Sequence, residues 1–211
     1  MIALRNITFL SIFLIQIHFL RAEVIVWKEI SLENFEEVTF SKANVHTKLE
    51  KDTPLPDLSL SKNFTAPIPA SKQALVLRVP KQANFPFAVY FPNPIKLQGF
   101  VKEIRIPIYS SQSIGNLTLI VENQDYETRQ LAVTSLNYRG WKNCVVPFAR
   151  AFDQNDRIFL QGSNIRLIGF FYLPNENNAS SQEVLLAIDD ITAIVRDKYR
   201  PLRNKEILLE D

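Results

Sequence analysis

Apolar residues fall at every second position in short runs, and this alternation most limits what the chain can fold into. Leu75, Leu77 and Val79 share one face of such a run, which Pro80 ends. Ile104, Ile106 and Ile108 share a face, with Glu103, Arg105 and Pro107 on the other. Leu117, Leu119 and Val121 repeat the pattern. A period of two places alternate side chains on opposite faces of a strand, and the Pro, Gly, Asn and Ser residues around each run are turn formers. Pro107 inside its run predicts an edge strand or a bulge, because proline has no N–H for a ladder. Residues 165–173 and 184–195 are apolar on both faces, which predicts central strands covered on both sides. Helical periodicity is scarce, and residues 32–40 offer a short turn at most. The expected fold is all-β: a single-domain β-sandwich with about eight to ten strands.

Residues 51–71 break this rhythm. Pro54, Pro56, Pro67 and Pro69 stand among Ser, Asn and Thr, which predicts a long Pro-rich loop or an extended arm over the surface. No apolar pattern marks it as core, so folding is not expected to need it. Residues 175–182 form a second polar connection.

The first 22 residues have the layout of an export signal. Arg5 gives a basic start, residues 7–20 are almost wholly apolar, and Ala22 is a small cleavage residue. The apolar run is shorter than the ~20 residues of a spanning helix. The expected domain plan is a leader over 1–22, a sandwich over 23–197 and a charged tail over 198–211. The layout predicts export with no membrane contact after cleavage, and Arg21 beside the cut leaves an uncleaved anchor as the alternative. The whole chain has 24 Lys and Arg against 22 Asp and Glu. The leader holds Arg5 and Arg21 and no acid, so the mature chain is close to neutral. Nucleic-acid binding by bulk charge is excluded.

The residue inventory also narrows the chemistry. Cys144 is the lone thiol, so no internal disulfide can form. His46 is the one histidine outside the leader, so a Cys/His zinc site cannot be assembled. A Ser-His-Asp triad would have to run through His46, in a polar stretch with no nucleophile elbow. The five glycines are scattered, and no phosphate-cradling loop exists. The chain is expected not to be an enzyme, and no catalytic residue or organic cofactor is assigned.

Residues 136–147 are the most informative segment. Gly140 can take positive φ between two strands, Trp141 offers a large amphipathic surface, and Val145 and Val146 enter the core. Tyr138, Arg139, Trp141 and Lys142 form either a recognition platform or a cap on the end of the core. The segment Tyr138-Arg139-Gly140-Trp141-Lys142-Asn143, followed by Val146-Pro147, resembles the flagellar filament outer-layer (sheath) proteins of spirochaetes, the FlaA family. Asn164 to Phe170 and Leu186 to Asp197 match two later strands of that family, and Asn34-Phe35-Glu36 its opening Asp-Phe-Glu. Asn34 and Val146 stand where the family has Asp and Ile.

The resemblance covers about residues 30–200. It implies a non-enzymatic, periplasmic coat component on a sandwich similar to carbohydrate-binding jelly rolls. Its partners would be flagellin core subunits, other sheath proteins and copies of itself. The work would be filament shape, stiffness and motility. Arg200 and Arg203, in a basic stretch over residues 196–205, join Tyr138, Arg139, Trp141 and Lys142 as interface candidates. That tail is either solvated or a docking arm.

The alternative is a secreted carbohydrate-binding module that stacks sugar on Trp141, Tyr138 and other aromatics. Coplanar exposed rings in one groove would mark it, whereas a coat can scatter them.

Asp189 and Asp190 are adjacent, so one must face inward or toward a neighbouring loop. With Glu36 or Glu37 they are candidate oxygen ligands for a structural Ca²⁺. The other expectation is that the inward Asp accepts backbone N–H bonds at a bulge.

Overall fold

The computed structural model describes residues 26–47, 55–69, 71–80, 85–113, 115–154, 164–175 and 183–198. The expected leader, Arg200 and Arg203 lie outside them. The described residues contain twelve strands in two antiparallel sheets. The seven-stranded sheet holds β1 (Lys28–Glu33), β12 (Ile191–Arg196), β6 (Phe100–Ser111), β11 (Val184–Ile188), β4 (Ala74–Val79) and β3 (Asp57–Ser61) in that order. β9 (Arg139–Pro147) joins it along the other side of β6. The five-stranded sheet runs β2 (Val45–His46), β5 (Phe87–Lys96), β10 (Arg166–Pro174), β7 (Gly115–Glu122) and β8 (Thr128–Ser135). This is the expected all-β sandwich of jelly-roll type.

The alternating runs explain how the layers meet. Ile104, Ile106 and Ile108 are wholly buried and face Leu119, Val121 and Phe170 across the core. Phe91 and Phe170 meet edge to face at 5.5 Å, and Phe87 lies 5.0 Å from Tyr172. Each such side chain contributes about 1.5–3 kcal/mol when withdrawn from water.

β6 is the axis of the larger sheet, not its edge. β12 lies along its first half, with Thr192 opposite Arg105, and β11 along its second, with Ile188 opposite Ile108. Together β11 and β12 make one interrupted run, broken at Asp189 and Asp190. Pro107 lies opposite the break. It has no N–H to give, and its carbonyl accepts from the Asp189 N–H at 3.2 Å. The irregularity, rather than an edge position, accommodates the proline.

The stretch 51–71 departs from expectation. Asp57–Ser61 forms β3, which pairs with β4, and Leu58 belongs to the core at 6% exposure. Asp57-Leu58-Ser59-Leu60-Ser61 alternates with period two, a strand signal masked by the prolines around it. Residues 62–69 then cross the outer face of the larger sheet, where Ala66 is buried. The idea that this stretch is dispensable for folding is therefore corrected.

β10 is central in its sheet, as expected, but its second face is not fully covered. Phe171 and Ile168 are half-buried and Leu173 is 43% exposed. A register shift on both sides of Ile168 makes a bulge there. At Gly169 a Cβ would meet the Val89 carbonyl oxygen at 2.2 Å, so only glycine fits the crossing of β10 and β5.

Candidate functional site

Residues 138–147 are brought together with the crossing arm. Trp141 and Tyr109 are directly opposite on β9 and β6, and Phe64 from the arm closes over both. The ring centroids are 4.5 Å apart for Phe64 and Tyr109, 5.8 Å for Tyr109 and Trp141, and 6.0 Å for Phe64 and Trp141. Their planes differ by 85°, 65° and 41°. This is an interlocked aromatic cluster, not a flat sugar platform.

Tyr138 turns away from it. The Tyr138 hydroxyl donates to the Ile108 carbonyl at 3.0 Å, and the Lys142 ammonium lies 5.3 Å above the ring. Burial pushes the Tyr138 phenol well above its usual range. Arg139 is exposed at the start of β9. Gly140 has the expected positive φ of 103°, but within β9 rather than between strands. Of the two valines, Val146 is buried and Val145 is 49% exposed.

Glu36, Asp189 and Asp190 also converge, at the fork between β1 and β4. Asp189 is wholly buried. Its Oδ2 accepts from the Ala66 N–H at 2.7 Å and the Ser71 hydroxyl at 2.6 Å, and its Oδ1 from the Asp190 N–H at 2.9 Å. Glu36 Oε1 accepts from the Lys72 and Gln73 N–H groups at 2.9 and 3.2 Å. Asp189 staples the crossing arm to the sheet, and Glu36 ties the turn after β1 to the residues that lead into β4. Among the described residues no group of three or more His, Cys, Asp or Glu side chains is set to hold a metal ion.

Asp190 makes no such bond in compensation. Burial first, then the charges of Asp189 and Glu36, raise its carboxyl above the usual range. Its stabilising contribution is therefore full below the ordinary carboxylate pKa and lost as pH rises through the raised value. Asp190 also has φ 35°, a region that asparagine tolerates well. Asp190→Asn should melt a few degrees higher than the parent at pH 7, with the gain shrinking toward pH 3. A gain equal at both pH values would contradict the charge argument.

The outer face of the five-stranded sheet carries a second grouping, which reasoning from the sequence missed. One cross-strand row runs His46, Ala88, Phe171, Thr118 and Ala132. The next runs Tyr90, Gly169, Ile120 and Gln130. Small residues at 88, 169 and 132 alternate with larger ones, of which Tyr90 and Phe171 are half-buried and Ile120 is buried. Neighbouring strands are about 4.8 Å apart, so the face is roughly 19 Å wide.

Polar groups border the rings. Thr118 donates to Gln130 Oε1 at 3.2 Å, His46 meets Tyr90 edge-on at 4.9 Å, and Arg166 pairs with Glu122. The sequence did carry a signal: the apolar second face of residues 165–173. The signal is ambiguous, because a run apolar on both faces reads alike whether protein or ligand covers the second face.

Neither a family model nor a curated protein matches this chain. Solved structures do match. One is the family 11 carbohydrate-binding module from Clostridium thermocellum, bound to a β-1,3-1,4-mixed-linked tetrasaccharide. It is 14% identical, with 81% of this chain and 98% of that one covered and a TM-score of 0.44. A family 29 carbohydrate-binding module is 10% identical over 89% of this chain and all of that one, with a TM-score of 0.40. An exo-β-agarase is 13% identical over 81% of this chain and 25% of that one, with a TM-score of 0.46. Identities this low concern fold alone.

Proposed function

We propose that this chain is a non-catalytic binding module that takes a neutral carbohydrate chain across the outer face of its five-stranded sheet. The observation that carries this reading is that Tyr90 and Phe171 sit diagonally on neighbouring strands of one face, with the hydrogen-bonding groups of Thr118, Gln130 and His46 in the same rows. A sugar ring has apolar C–H faces and a rim of hydroxyls, so it needs both kinds of group together. In the rows of Tyr90 and Phe171 no side chain is an acid, Lys or Arg, which fits an uncharged glycan. Affinity electrophoresis in gels containing soluble neutral polysaccharides tests it. Retardation by at least one polysaccharide is expected, and free migration through a broad panel would end the reading.

A second reading is favoured by the placement of residues 138–147. The segment that resembles the flagellar sheath family forms an exposed strand at the margin of the larger sheet. A coat subunit on the periplasmic filament would use such a surface against flagellin, other sheath proteins or its own copies. Co-sedimentation with purified periplasmic filaments separates the two, since the carbohydrate reading predicts none. Under both readings the chain is exported, and N-terminal sequencing of the native protein should begin at Glu23. A sequence starting at Met1 would contradict export with cleavage.

A further inference from the structure

β9 ends the larger sheet among the described residues, and the direction of its backbone groups can be worked out. In a strand, the N–H and C=O of one residue point to the same side, and successive residues alternate. The Pro107 carbonyl accepts from Asp189, so Pro107, like Arg105 and Tyr109, addresses the β11/β12 side of β6. Ile106 and Ile108 therefore address β9, where their opposites are Cys144 and Lys142. Trp141, Asn143 and Val145 must turn their N–H and C=O groups away from β6. No described strand pairs with them.

Natural sheets usually guard such an edge with outward charge, proline or a bulge. Here the pairing with β6 has no register shift over nine residues. Lys142 is no guard, because its ammonium is engaged by the Thr134 hydroxyl at 3.3 Å and by the Tyr138 ring. Pro147 blunts only the end.

We propose that β9 is the docking edge for a second copy of this chain, paired antiparallel about a two-fold axis at Asn143. Asn143 is the midpoint of β9, so this register overlaps the whole strand and sets Asn143 against Asn143 of the second copy. Trp141 then lies opposite Val145 of the second copy, so the indole covers a side chain that is 49% exposed in one copy. The charges also complement each other. On the outer face Arg105 is ion-paired with two carboxylates, Glu103 at 2.8 Å and Glu29 at 3.7 Å, so these three groups together carry one negative charge. Arg139, which has no ion pair among the described residues, faces Pro147 of the second copy. The next outward positions in that row are Glu103 and, beyond Ile194, Glu29 of the second copy. Lys142 faces the neutral Cys144 of the second copy, so no like charges meet.

This inference is independent of the carbohydrate reading, because the two surfaces lie on different sheets. Two measurements decide it. Sedimentation velocity on the mature chain should show a monomer converting to a dimer as concentration rises. Val145→Lys should keep the parent melting temperature but remain a monomer throughout. Mild oxidation then reads the register, in a Cys144→Ser background. Directly opposed strand residues have Cα atoms about 5.5 Å apart, within disulfide reach. Copies of residue 139 would be ~27 Å apart in this register. Asn143→Cys should give a covalent dimer, and Arg139→Cys should not. A parent chain that stays monomeric, or equal cross-linking at both positions, would overturn the proposal. Normal dimers of Val145→Lys would overturn it too.

Discussion

Replacing Asp189 by alanine is expected to lower the unfolding free energy by about 3 kcal/mol, the largest single loss anticipated for a side chain outside the apolar core. Its carboxylate is wholly buried and accepts three hydrogen bonds, from Ala66, Ser71 and Asp190. Truncation orphans the Ala66 N–H in a buried place, and an unmet buried donor costs about 1–3 kcal/mol. Hydrogen bonds to an ionised acceptor are individually worth about 1.5–3 kcal/mol, although losses at one carboxylate do not simply add. The arm over residues 62–69 would also lose one anchor, leaving Phe64 to hold it against Tyr109 and Trp141. Ser71→Ala removes one donor of the three and should cost about 1 kcal/mol. Urea unfolding of both variants measures this. Equal small losses for the two would show that Asp189 is not the anchor described here.

The second large effect concerns binding. Phe171→Ala is expected to weaken retention by polysaccharide about thirtyfold, corresponding to roughly 2 kcal/mol at a central aromatic contact. Tyr90→Ala should weaken it comparably. Neither side chain points into the core between the sheets, and both are only half-buried. Their loss should therefore move the melting temperature far less than truncation of Phe170, their buried neighbour on β10. The contrast between Phe170 and Phe171 is what makes the test selective. If Phe171→Ala binds as well as the parent, the glycan does not lie on this face. Trp141→Ala serves as the comparison. It loosens the cluster with Tyr109 and Phe64 on the other sheet, and it should leave glycan retention unchanged.

Much of the sandwich was legible because its strands are buried on one face only. Ile104, Ile106 and Ile108 alternate with Glu103 and Arg105, and they stand inward in the structure as the pattern requires. What failed did so for physical reasons. β3 was hidden because the prolines around it outweighed five residues of alternation. Pro107 suggested an edge, yet the strand beside it is interrupted at the position where an N–H would have been needed. The candidate site was less legible. Trp141 drew notice through its size and its glycine, but its ring is locked edge-on with two others. Tyr90 and Phe171 sit in runs that look like core, and only the pairing of β5 with β10 shows them to share an outer face.

The central claim is that the outer face of the five-stranded sheet is the binding surface. Amide chemical-shift mapping of the ¹⁵N-labelled mature chain, titrated with a neutral oligosaccharide from the polysaccharide that retards it best, tests this most directly. The account predicts saturable shifts at Tyr90, Thr118, Gln130 and Phe171, with Trp141 and Asn143 unmoved. Shifts concentrated on β9, or none at saturating sugar, would contradict it.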